Sequence, residues 1–301
     1  MTINRSAHPE ALWPGVQAWF GNNYKELNQG WETHFDKRSS DKAYEKLVEG
    51  TQFGYAPVKG EGSALTYDDA RQGYTSQITH AVYALGYVVT MEELADGQYK
   101  ELSRGRSKAL GRSLRATREY VHANVFNRAF SGSYVGGDNV AMCSTSHPTR
   151  AGNQANRPTV DADLTEASLE DMVILAQNAK NARGLRIDLT PQRLVIPLQL
   201  QFTATRILKS QLQSGSANND VNALKEMGLL PKGIATWRYL DDPDAWFLTT
   251  DCDDALVHFE RMDIELEQDN DFDTKNARAS AMMRFSCGWG DWRGVYGTQG
   301  A

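Results

Sequence analysis

The stretch "YTSQITHAVYALGYVVT" (74–90) is dense in β-branched and aromatic residues, and it reads as one long strand. Upstream, "TQFGYAPV" (51–58) has the same character. Between them, "KGEGSALTYDDARQG" (59–73) is polar and carries glycines, which suits the tip of an extended hairpin. The second strand would run about sixteen residues, against a usual five or six. A ribbon that long has little room for a core of its own, so it must pack on something else. That points to contacts between chains; the edge of a β-sandwich is the other reading.

The chain then turns helical, over about 91–130. Thr90 can cap this helix, with Glu92 and Glu93 in the positive first turn. Leu94, Leu102, Leu110, Leu114, Val121 and Val125 make a discontinuous apolar stripe. Gly97, Gly105 and Gly111 each cost up to about 1 kcal/mol relative to Ala, so the helix bends there or admits another backbone. Within it lies "SRGRSKALGRSLRATR" (103–118), with Arg104, Arg106, Lys108, Arg112, Arg115 and Arg118 and no acid. Nucleic acid is one possible partner, through phosphates and with strong salt dependence. No aromatic interrupts the stretch to stack on bases. The whole chain has a net charge of -6, so carboxylates from this chain or a partner are the better match.

The first forty residues carry Trp13, Trp19, Phe20, Tyr24, Trp31 and Phe35 among polar residues, without a long stripe. Such aromatics need a surface to lie on. Two readings stay open: a strap on the chain's own core, or an arm across a neighbouring subunit. Residues 131–164 read as a long loop or short β-excursion. A helix is expected over 166–181, capped by Thr165 and closed by Arg183-Gly184. A buried strand at 192–200 and a helix at 201–213 follow, then a flexible loop (214–220). Short alternating elements fill 221–267, including strands at 245–251 and 255–267. The tail reads as strands broken by glycines.

The chain has 301 residues, 41% of them hydrophobic and 23% charged, as in ordinary globular proteins. A pI near 5.6 argues against a surface that grips DNA all over. Cys143, Cys252 and Cys287 are odd in number and far apart, which fits reduced thiols. No apolar run approaches the roughly 18 residues of a membrane helix. No phosphate loop, dinucleotide fingerprint or nucleophile elbow is present. Cys143 and His147 offer two ligands where structural zinc needs about four. The acidic clusters at 241–244, 251–254 and 269–273 lack calcium-loop spacing and read as solvated loops. No metal, cofactor or catalytic residue is expected.

The order of parts resembles the major capsid proteins of tailed bacteriophages, with the α+β Hong Kong 97-type fold. The likeness is greatest to head proteins of short-tailed and Mu-like phages. The matching stretches are "SSDKAYEKLVEGTQFGYAPVKGEG" (39–62), "YDDARQGYTSQITHAVYALGYVVTMEELADGQY" (67–99), "LTPQRLVIPLQLQFTATRIL" (189–208), "YLDDPDAWFLTTD" (239–251) and "GWGDWRGVYGTQGA" (288–301).

The resemblance implies an N-terminal arm (1–45), an extended loop reaching a neighbour (46–90) and a peripheral domain with a spine helix (91–189). An axial domain (190–270) and return strands of the peripheral domain (271–301) complete it. It implies a virion structural protein, assembled in the bacterial host's cytoplasm, that encloses double-stranded DNA and has no enzymatic activity. Partners would be copies of itself in hexamers and pentamers, a portal, scaffolding or cement proteins, and DNA by non-specific contact, with no membrane. Since the arm begins near Met1, a separate scaffolding protein or none is expected. Some relatives cross-link a loop lysine to an asparagine. Lys59 is suitably placed, but no asparagine or catalytic acid matches, so no cross-link is expected. Inter-subunit contacts are expected from Trp13, Trp19, Trp31, Lys59, Glu61, Asp68, Asp69 and Arg71. Two alternatives remain: an encapsulin-like cellular shell, and a nucleic-acid-binding protein using helix 103–118.

Overall fold

The computed structural model describes residues 30–90, 92–93, 99–212, 221–271 and 276–301. In chain order, the strands are β1 (Asp36–Ser39), β2 (Tyr44–Gly50), β3 (Gln72–Thr79), β4 (Ala81–Val89), β5 (His147–Thr149), β6 (Gly152–Gln154) and β7 (Pro191–Ile196). They continue as β8 (Ile234–Thr236), β9 (Trp246–Thr250), β10 (Leu256–Asn270), β11 (Ala277–Trp289) and β12 (Val295–Thr298). The helices are α1 (Tyr99–Asn127), α2 (Glu166–Gln177), α3 (Gln201–Lys209) and the single turn α4 (Ala223–Glu226). The chain divides into two compact units.

The first unit takes the segment ending at Tyr44, then Thr79–His122 and His258–Cys287. Its sheet has the order β1-β10-β11-β4. Strands β11 and β4 are antiparallel, in register from Ala277 opposite Val89 to Phe285 opposite Ala81. Leu110 and Leu114 of α1 pack with Ala281, Met283 and Phe285 of β11. Alternation along β11 supplies one buried residue in two, as a half-buried strand requires.

The second unit comprises Glu45–Ile78, Ala123–Val257 and Gly288–Ala301. Its sheet has the order β12-β9-β7-β8, with β7 parallel to β8 and antiparallel to β9. Leu194, Ile196, Trp246, Leu248 and Tyr296 pack with Leu169, Met172, Val173 and Ala176 of α2 and with Ala204 and Ile207 of α3. Thr165 caps α2 by a reciprocal capping box with Ser168.

Several sequence expectations are corrected. The single strand over 74–90 is two strands. Its break falls at His80, whose buried ring sits between Ser40 Oγ (3.0 Å) and Ser286 Oγ (2.9 Å). Upstream of the break, β3 pairs with β2; downstream, β4 joins the first unit's sheet. The other arm of the ribbon is Tyr44–Gly50 rather than 51–58. Past Thr51 and Arg71 there is no sheet face to pack on, and Pro57 lacks a ladder donor, so 52–70 contains no strand. Helix α2 stops at Gln177. Asn181 Oδ1 instead accepts the N–H groups of Arg183 (2.9 Å) and Leu185 (3.0 Å) in a separate turn. Gly184 holds that turn at φ +84. Gly288 does not break β11, which runs through it to Trp289.

Candidate functional site

Two features matter: the loop beyond β2 and β3, and the cations of α1. The loop belongs to the second unit. At its base Arg293, almost fully buried, binds Glu49 (3.0 Å), Asp291 (3.1 Å) and the Lys180 carbonyl (2.8 Å). Thr51 and Arg71 close the ribbon through Thr51 N–H to Arg71 C=O (2.8 Å) and Arg71 N–H to Thr51 Oγ1 (2.7 Å). Just beyond, Arg183 donates to both oxygens of Asp68 (2.5 and 3.1 Å) and to the Gln52 carbonyl (3.2 Å). Gly54 N–H donates to Asp68 Oδ2 at 2.6 Å. The Arg183 hydrogen bonds, then those from Gly54 and Asp69, hold the Asp68 carboxyl well below the usual carboxylate range.

Phe53 at this neck, and Tyr55, Val58, Leu65 and Tyr67 past it, are all exposed, Val58 completely. Five large apolar side chains on one segment in water mark an interaction surface rather than a finished fold. Lys59 and Glu61 are exposed and make no ion pair among the described residues. Asp69 and Arg71 approach each other at 3.9 Å.

The cations of α1 fall into two groups. Arg106 makes a two-pronged pair with Glu93 (2.9 Å on each prong) and reaches the Val88 carbonyl (3.1 Å). That hydrogen bond leads the causes holding the Glu93 carboxyl low. Glu93 is in place because its own N–H meets Thr90 Oγ1 (3.4 Å), the cap read from the sequence. Arg118 is buried, 2.7 Å from Glu260 and over the rings of Trp31 (5.7 Å) and Phe285 (5.1 Å). Arg115 is also buried and engaged. Lys108 and Arg112, one helical turn apart, have no carboxylate within the 4.0 Å ion-pair limit among the described residues. The Arg104 side chain lies outside those described.

Behind Arg118 lies a pocket of rings in the first unit. Trp31 is fully buried, stacked on His122 (4.4 Å) and beside His258 (4.3 Å), with Phe35 edge-on to His122 (4.9 Å). His122 Nδ1 lies 2.6 Å from the Arg118 carbonyl and so must donate to it. In the neutral ring, Nε2 is then bare and accepts from His258 Nδ1–H at 2.9 Å. Burial, against the bond to the Arg118 carbonyl, pushes the His122 imidazole down to about 3. Burial alone would raise the Glu260 carboxyl; the hydrogen bond from Lys37 and the charges of Arg118 and Lys37 outweigh it and hold it low. The ring of Trp31 therefore has no surface left for a neighbour, and its expected contact between subunits is corrected to one within the chain. Trp13 and Trp19 lie outside the described residues.

Cys143 and His147 do not converge on a metal. The Cys143 thiol is buried and pushed up, while His147 binds Asp138 (2.6 Å) and Asn156 (3.0 Å) and stacks on Trp292 (4.2 Å). Among the described residues no group of three or more His, Cys, Asp or Glu could hold a metal ion. Sequence reasoning missed Arg183, Arg293 and Glu260. Only Arg183 had a local signal, the Asn-Ala-Arg-Gly turn, which read instead as the closure of α2.

A sheet with a long helix packed on it, and a bare loop on a tied ribbon, suit a subunit built to be joined. The family described as phage capsid protein matches residues 73–298. The chain belongs to that family. No curated protein matches it. Among solved structures, the capsid of an empty GTA particle aligns over 90% of this chain and 89% of its own, at 13% identity and a TM-score of 0.54. The virus-like particle from Pyrococcus furiosus aligns over 94% and 97%, at 8% identity and a TM-score of 0.52. The capsid of Myoviridae phage XM1 aligns over 89% of each chain, at 9% identity and a TM-score of 0.51. At such identities the likeness is one of fold, and the fold is the Hong Kong 97 type. The protein is a structural one, a major capsid protein of the virion.

Proposed function

We propose that this capsid protein assembles as hexamers and pentamers into the icosahedral head of a tailed phage, around double-stranded DNA. The observation that carries the reading is the loop at and beyond the Asp68–Arg183 neck, where five large apolar side chains stand in water on a ribbon anchored at its base. In a shell, the neighbour supplies the surface they lack. On this reading 1–45 is the arm, 46–90 the overlapping loop, 91–189 and 271–301 the peripheral domain, and 190–270 the axial domain. Lys59, Glu61, Asp69 and Arg71 contact the next subunit. The chain needs no enzymatic activity, and its partners are a portal, scaffolding or cement proteins and the packaged genome. Assembly takes place in the cytoplasm of the host.

Negative-stain imaging with light scattering of the purified chain tests this. Closed megadalton particles are expected, and a monodisperse monomer under all assembly conditions would overturn the reading. A second reading, a cellular shell without a genome, is favoured by the fold likeness to the Pyrococcus furiosus virus-like particle. Nuclease-protected double-stranded DNA inside particles from the native source decides between them.

A further inference from the structure

We infer that Asp68 and Arg183 form a clamp within one subunit that closes the neck of the loop and sets the direction in which its apolar tip is offered. The inference rests on the shell reading above for what the tip meets, but the clamp itself is a property of the free subunit.

The Asp68 carboxylate is saturated from its own chain. Its Oδ2 takes Gly54 N–H (2.6 Å) and Arg183 Nη1 (2.5 Å); its Oδ1 takes Arg183 Nη2 (3.1 Å) and Asp69 N–H (2.8 Å). Little is left for a neighbour to bind. One guanidinium joins both sides of the neck, because Arg183 Nη1 also reaches the Gln52 carbonyl at 3.2 Å. The fit at Gly54 is close: a Cβ there would lie 3.2 Å from Asp68 Oδ2 and 3.6 Å from Arg183 Nη2. Arg183 is itself held by the Asn181 turn, so the clamp is tied to the folded body rather than to another mobile side chain.

The side chains of Arg183 and Asp68 are only 28% and 38% exposed, and the pair is two-pronged, the geometry in which a surface ion pair has a measurable effect. Without it, residues 55–67 hang from the Thr51–Arg71 closure alone. Ordering such a segment on binding costs conformational entropy, and holding its neck in advance lowers that cost. Asp68 and Arg183 are therefore positioning residues: they aim the residues that touch the neighbour and do not touch it themselves.

The test uses the full chain with two readouts. Asp68→Asn and Arg183→Gln should each speed exchange of the Gly54 amide, which donates to Asp68, about three- to tenfold in the free subunit, with the melting temperature almost unchanged. Assembly rate, followed by light scattering, should fall by a similar factor, and Arg183→Lys should recover part of it. Mixing Asp68→Arg subunits with Arg183→Asp subunits should restore nothing, because the pair closes within one chain. Unchanged exchange in the free subunit would overturn the clamp, and so would assembly rescued by that mixture, which would place the pair between subunits. If the wild type forms no particles at all, the shell reading fails, while the exchange readout still decides the clamp.

Discussion

The pocket around Trp31 and the loop around Tyr67 are made of similar residues, aromatics beside charges, and they end in opposite states. In the pocket, Trp31 has no exposure, Arg118 sits at 2.7 Å from Glu260, and two imidazoles share one proton bridge. In the loop, Tyr67 is 90% exposed and Val58 fully so, and the one well-formed ion pair lies at the neck. A fold that can satisfy an arginine inside its sheet-and-helix layer has the means to bury a tyrosine. On the shell reading proposed above, the five large apolar groups left in water on one segment find their partner in a neighbouring subunit. Aromatics alone do not mark an interface; aromatics left unburied beside a completed core do.

The largest effect should come from the loop. Replacing 56–66 with a short Gly-Ser turn keeps the Gly54–Asp68–Arg183 neck and removes Val58 and Leu65 from the tip. Because Val58 and Leu65 are exposed, the subunit should fold with its stability nearly intact. Closed particles should be lost, as read by sedimentation and imaging. Normal particles from this variant would erase the contrast between the two regions.

Next come the residues of the pocket. Trp31→Ala removes a fully buried indole packed against two imidazoles, and truncations of that kind cost about 3–5 kcal/mol. Arg118→Met leaves Glu260 in a half-buried site with Lys37 (2.6 Å) as its remaining close cation, and breaking a buried pair costs a similar ~3–5 kcal/mol. Urea unfolding of the subunit measures both. A loss below ~1 kcal/mol for Trp31→Ala would mean that the pocket does not hold this segment.

A smaller effect follows from acid. His122 faces His258 Nδ1–H, Arg118, Trp31, Phe35 and Phe285, with Glu260 and Lys37 behind His258. A second proton on His122 would meet the His258 N–H head-on. The folded value near 3 lies below the unfolded value of about 6.5, so the unfolded chain binds more protons between them. Stability is therefore full above about pH 6.5 and falls as the pH drops toward 3, by on the order of 2–3 kcal/mol at pH 4.5. Glu260, whose folded value is also lowered, adds a further loss below its ordinary value of 4.5. Thermal melts of wild type and His122→Gln over pH 4–7 should show a shallower slope in the variant. Parallel slopes would remove His122 as the cause.

The long helix, the α2 cap at Thr165 and the strands β7, β9 and β10 were legible because each rests on local periodicity or a local cap. The interruption at His80 was not. A histidine in a β-branched run looks like one more strand residue, and its two serine partners lie 40 and 206 positions away. Likewise, Phe53 and Tyr55 have strand-like side chains, but a strand also needs a neighbour's backbone and a face to cover, and neither is present. The need for carboxylates beside the basic helix could be read from charge balance. Their identity as Glu93 and Glu260 could not, because Glu260 arrives on a strand 142 residues from Arg118.

The smallest effect concerns Lys108 and Arg112, and it is the one that extends the comparison to the basic helix. Arg106 and Arg118 resemble the pocket, closed within the chain; Lys108 and Arg112 resemble the loop, open among the described residues. On the shell reading, two partners outside the subunit are available to them, carboxylates of a neighbour or phosphates of packaged DNA. The chain carries 38 acids against 32 lysines and arginines, so a neighbouring copy offers carboxylates in excess. Lys108→Gln with Arg112→Gln should change the stability of the free subunit by no more than about 0.5 kcal/mol, as ordinary surface changes do. In DNA-free particles the same pair should lower the denaturant concentration needed for disassembly, with an effect that shrinks in high salt. If DNA-free particles are unaffected, and only DNA-filled ones lose stability with a reduced salt slope, the two cations face phosphate instead. The helix would then divide its cations between protein and genome, one face closed within the chain and the other turned to the cargo.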